Sequence, residues 1–160
     1  MELTDPLDIY ACHLGALWGR LMSLEVLLRI TISGGQFKAP LTVKAGEDVD
    51  QDAINRWAYL SSLIPEYNNI VVRASHANCA ISGDEIVALR NALAHGIAIS
   101  TSPSPPLRLV KFGKLDHATG KVKVDFAGEM SDEWLKQQQV LVQRAIDSVA
   151  TYIKATNIAQ

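Results

Sequence analysis

Ser82-Gly83-Asp84-Glu85-Ile86-Val87-Ala88-Leu89-Arg90-Asn91-Ala92-Leu93-Ala94-His95-Gly96 reads as a complete helix with both ends marked. Ser82 and Glu85 stand three apart, the spacing of a capping box in which each side chain satisfies a free backbone N–H. Asp84 and Glu85 place negative charge in the positive first turn. Ile86, Val87, Leu89, Leu93 and Ala94 form the apolar stripe, and Gly96 suits a left-handed stop after the last turn. Arg90, Asn91 and His95 crowd three polar groups onto the end of this otherwise apolar helix.

Asn91 and His95 are four apart and share a face, so the Asn91 amide can fix the His95 tautomer through one ring nitrogen. Arg90 starts about 140° round the helix from His95, at roughly 100° per residue, but its long side chain reaches toward the same end. A guanidinium binds phosphate oxygens bidentately, and an imidazole moves protons near neutral pH, so the trio suits phosphate chemistry. The plainer alternative is that Arg90 and His95 only complement the negative helix end.

Arg90-Asn91-Ala92-Leu93-Ala94-His95 resembles the Arg-x4–6-His signature of the HEPN superfamily, with Asn91 as the polar residue that follows the arginine. The trailing Gly96 is also similar to many members. The resemblance implies a mainly α fold, an HEPN-like up-and-down helical bundle, and a homodimer whose subunits bring their helix ends into one cleft. It implies metal-independent endoribonuclease activity of the kind found in toxin–antitoxin and defence systems, with RNA as substrate and an antitoxin or other protein as partner. Under that reading His95 is the general acid or base, Arg90 binds the scissile phosphate and Asn91 orients His95. The alternative is a catalytically inactive helical dimer, a nucleotide- or RNA-binding or regulatory module.

The 160 residues are enough for one domain with a core, read as spanning 1–160. A net charge of −2 and a pI near 6.1 give no global drive toward nucleic acid, so RNA binding needs a local basic cleft. Cys12 and Cys79 lack metal or redox spacing and read as small buried apolar residues. The first residues carry acid where a signal peptide carries base, and no apolar run approaches the ~20 residues of a membrane span, so a cytoplasmic location is expected.

In chain order, Asp5-Pro6 caps and opens a long helix to about Ile32, stopped by Ser33-Gly34-Gly35. Its apolar coverage is wide, as for a central or shared helix, and Gly15 and Gly19 either admit a close neighbour or are merely tolerated. Asp50 or Asp52 opens a second helix that Ile64-Pro65 breaks or kinks, and residues 66–80 read as helical again. A proline-rich connector, Ser100–Pro106, leads to a β-hairpin inserted before the C-terminal helix. Its strands are Leu107–Phe112 and Lys121–Phe126, around a turn at Asp116–Gly120. The hairpin's polar face is expected to carry Arg108, Lys111, Lys114, Lys121 and Lys123, either as phosphate-binding surface or as protection against edge pairing. Ser131 caps the last helix, from Asp132 to about Lys154.

Histidines 13, 76, 95 and 117 stand in no metal-ligand spacing, and no phosphate-cradling glycine loop or nucleophile elbow occurs. The expectation is therefore no metal and no cofactor. Arg90, Asn91 and His95 are the only concentrated candidates for catalysis.

Overall fold

A computed structural model describes residues 5–35, 44, 46, 48, 59–100 and 105–158. Its elements run α1 (Pro6–Ile32), α2 (Leu60–Arg73), a 3-10 turn (Ala77–Cys79), α3 (Asp84–His95), β1 (Ile97–Ile99), β2 (Leu107–Asp116), β3 (Lys121–Met130) and α4 (Asp132–Thr156). This corrects the expected helical bundle with a hairpin: the fold is mixed α/β, helices dominating, with an antiparallel sheet of order β1-β2-β3. The third strand was hidden in Ile97-Ala98-Ile99. Three apolar residues carry no readable period, and their partners Val110, Leu109 and Arg108 lie across the proline-rich connector.

The chain forms two compact units, each sewn from two stretches. The first comprises residues 1–19 and 85–141 and holds the start of α1, nearly all of α3, the sheet and the start of α4. Asp5 caps α1, its carboxylate accepting from the Leu7 N–H at 2.8 Å, and Ser131 caps α4 by accepting from the Trp134 N–H at 3.2 Å. Leu17, Ile86, Leu89, Ala92, Leu109, Met130 and Leu135 are its buried apolar residues, and Phe126 meets Trp134 edge-on at 6.3 Å between ring centres. Between β2 and β3 the register slips at Lys111/Phe112 and again before Leu115. A Cβ on Gly113 would stand 2.6 Å from Asp125 Oδ1, so a bare backbone lets the irregular strands close, and Lys111 Nζ donates to Asp125 at 2.6 Å across them.

Tyr10 is the exception in this core. Its hydroxyl is buried without a hydrogen-bond partner among the described residues, and burial pushes its pKa up; the Leu107 backbone offsets part of that rise without reaching hydrogen-bonding geometry. A buried unsatisfied hydroxyl costs stability, so Tyr10→Phe is expected to stabilise the protein by about 1 kcal/mol, read as a higher urea midpoint at unchanged slope.

The second unit comprises residues 20–84 and 142–160. Leu21, Leu24 and Leu28 of α1, Leu60, Leu63, Ile64, Tyr67 and Val71 of α2, and Val149 and Tyr152 of α4 are buried. Asn68 clamps the Ile81 backbone from both sides, donating to its carbonyl and accepting from its N–H, each at 2.9 Å. Pro65 lies inside α2, so of the two outcomes expected at Ile64-Pro65, a break or a kink, the break does not occur. The proline sits in the second turn, and the carbonyl it cannot bond belongs to Ser61, an exposed residue that water can serve. The expected helix start at Asp50 or Asp52 and most of the connector at 101–104 lie outside the described residues. Cys79 is buried as expected, but Cys12 is exposed on α1.

Tyr67 donates to the Cys79 carbonyl at 2.9 Å, and its burial raises its pKa far above the ordinary value. With both Tyr10 and Tyr67 raised, the unfolded chain loses these protons first as the solution turns alkaline. The contribution to stability is whole below about pH 10 and falls as pH rises above it. Urea midpoints are expected to drop as pH rises above about 10 in the wild type and less steeply in Tyr67→Phe.

Candidate functional site

Helix α3 ends at His95, and Gly96 passes the chain directly into β1. Ser82, the expected cap, lies two residues before the first helical residue, Asp84. Gly83, between the two, is pressed against Ile64. A Cβ there would stand 2.8 Å from Ile64 Cγ2. Gly96 also has a different role from the one expected. It is not left-handed; its N–H donates to the Ala92 carbonyl at 2.7 Å. A Cβ on it would collide with that same carbonyl oxygen, approach Leu109 Cδ1 to 2.8 Å and Val110 O to 3.1 Å. The glycine lets the last turn of α3 lie on β2.

The buried face of α3 is Ile86, Leu89 and Ala92. Against it, the structure places His95 exposed to solvent, with Arg90 and Asn91 half-buried. Arg90 makes a polar or electrostatic interaction. Asn91 and His95 share a face as their spacing requires, but no hydrogen bond joins them among the described residues. The three therefore sit on the last two turns of one helix, two half-buried and one open to water. The imidazole can reach a substrate hydroxyl, and the guanidinium offers fixed positive charge one turn and a half behind it.

The hairpin cations do not gather as expected. Arg108 and Lys111 are three positions apart in one regular stretch of strand, so they leave opposite faces of the sheet. Lys111 is paired with Asp125, whose carboxyl the lysine holds below the usual range. Among the described residues no group of three or more His, Cys, Asp or Glu side chains gathers around a common point. No helix among them is long and apolar enough to cross a membrane.

One feature was missed by sequence reasoning. A cavity of about 490 Å³ opens in the first unit, walled by Ala11, Leu14, Gly15 and Trp18 of α1, Leu93 and Gly96 at the end of α3, and Ala98, Leu109 and Met130 of the sheet. At roughly 100° per residue, Leu93 lies about 160° round α3 from His95, so cavity and imidazole occupy opposite flanks of the helix. The spacing 11, 14, 15, 18 was visible as a helix face, but four elements meet here only in the folded chain. The chain matches no protein-family model, no curated protein and no solved structure.

Proposed function

We propose that the protein is a metal-independent endoribonuclease acting on cytoplasmic RNA at the end of α3, as the HEPN-like Arg90–His95 signature implies. The observation that carries this reading is the contrast of exposure across the signature: an exposed His95 beside a half-buried Arg90. In the proposed reaction His95 accepts the proton of an RNA 2′-hydroxyl as its oxygen attacks the adjacent phosphorus. The P–O bond to the 5′-oxygen then breaks, and that oxygen takes a proton from the imidazolium or water, leaving a 2′,3′-cyclic phosphate. Arg90 binds the non-bridging oxygens and stabilises the added charge in the transition state. Asn91 stands on the His95 face and steers the ring once substrate is bound.

The test is cleavage of a mixed RNA substrate in EDTA by wild type, Arg90→Ala and His95→Ala, each shown to be folded. Loss in both variants supports the mechanism. No cleavage by folded wild type, or full cleavage by His95→Ala, sinks it. A second reading, a non-catalytic binding module of a toxin or defence system, draws on the apolar cavity on the opposite flank of α3. Nucleotide or RNA binding without cleavage in the same assay would favour it.

A further inference from the structure

The cavity in the first unit is a cleft with a closed floor and an open mouth. Leu109 and Met130 are its buried residues, while Ala11, Gly15 and Trp18 of α1 stand exposed at the opening. Its volume of about 490 Å³ falls within the roughly 300–1,000 Å³ of small-molecule sites. Packed interiors leave few voids larger than one water, so this space is more than a packing irregularity. Glycine helps to create it. Gly15 stands in the interior of α1, where the residue weakens a helix, and a Cβ on it would meet nothing within 4 Å. Among the described residues, nothing fills the room that Gly15 leaves.

We infer that this cleft binds a small uncharged molecule built on two or three aromatic rings. The lining decides the charge. None of the residues around the cleft has an ionisable side chain, so an ion brought against these walls loses hydration that nothing there replaces. The Gly96 N–H in the wall is already committed to the Ala92 carbonyl at 2.7 Å. Volume decides the size. An apolar cavity of ~150 Å³ holds one benzene ring, and this cleft, at about 490 Å³, is roughly three times larger. Ring character follows from Trp18 and Met130, whose indole and thioether gain more from an aromatic neighbour than the burial of its area alone. α1 supplies one wall and Ala98, Leu109 and Met130 of the sheet another, so a flat ring system suits the space between them. None of Arg90, Asn91 and His95 lines the cleft, and the inference does not rest on the ribonuclease reading.

The test is the fluorescence of anilinonaphthalene, an uncharged three-ring dye, held at about 1 µM while the full chain is titrated to about 200 µM. The wild type is expected to bind it one to one with a Kd on the order of 10 µM. The sulfonated dye, the same rings with one negative charge, should bind at least about 10-fold more weakly. Gly15→Leu grows a side chain into the cleft, and Ala11→Leu does so one turn earlier on the same helix face. Each, with unchanged circular dichroism, is expected to weaken the uncharged dye at least about 10-fold. Gly19→Leu is the control: a Cβ there also meets nothing within 4 Å, but Gly19 does not line the cleft, and the variant should bind as wild type does. A folded wild type without a saturable signal overturns the inference and leaves the cleft to side chains of a protein partner. Sulfonated dye bound as tightly as the uncharged one overturns it too. So does full binding by both cleft variants, since the dye then sits elsewhere.

Discussion

Replacing His95 by alanine is expected to lower the rate of RNA cleavage about 100- to 10,000-fold, the span that a positioned general acid–base group contributes. The fold should barely notice. His95 is exposed at a helix end, its side chain makes no hydrogen bond among the described residues, and it is changed to a better helix former, so stability should move by no more than about 0.5 kcal/mol. That separation makes the variant informative: a large kinetic loss cannot be blamed on unfolding. Arg90→Ala needs the stability measurement beside it, because Arg90 is half-buried and engaged within the chain. Arg90→Lys keeps the charge but loses the planar two-pronged grip, and should recover only part of the rate. If the two groups act in one step, the double variant should be scarcely slower than the worse single one. Single-turnover rates at saturating RNA, in EDTA, measure all four.

Gly96→Ala is expected to cost about 1–3 kcal/mol, the usual penalty for forcing a methyl group into a packed site. Three atoms receive that methyl, and two are backbone oxygens, those of Ala92 and Val110, which cannot rotate away. The end of α3 must lift off β2 to make room. Because His95 is the preceding residue, the same variant should also slow cleavage even at temperatures where it is folded. Gly15→Ala is the contrasting case. A Cβ there meets nothing within 4 Å, so relief of the glycine penalty inside α1 should stabilise by about 0.5–1 kcal/mol. Urea titrations of the two glycine variants should shift in opposite directions.

Where chain-local chemistry decides an element, the sequence is readable. Asp5-Pro6 and Ser131 cap α1 and α4 where expected, and the hairpin pairs around its turn because period-two alternation and Gly120 announce it. Gly120 is left-handed there, at φ 66°. Where tertiary contact decides, it is not. α3 starts at Asp84, and Gly83 just before it is pressed against Ile64, nineteen residues away in sequence. Ile97-Ala98-Ile99 becomes a strand only when β2 arrives, which turns an expected bundle into an α/β fold. Arg90, Asn91 and His95 could be placed on one helix end from their spacing, but their unequal exposure could not, since it depends on which side of α3 meets the core. The apolar cavity was beyond reach for the same reason.

Both compact units are assembled from stretches far apart in the chain, residues 1–19 with 85–141 and 20–84 with 142–160. A ribosome delivering this chain from its amino end therefore completes neither unit early. The first helix emerges with its apolar stripe and waits for some seventy residues before α3 and the sheet follow, and the second unit waits for the last helix. Stopping synthesis after Leu141 would take α4 residues Val149 and Tyr152 out of an interior that already holds Leu21, Tyr67 and Val71, rather than trim a loose tail. Such late closure leaves apolar surface open throughout translation, the period in which a nascent chain is most exposed to aggregation and most dependent on chaperones.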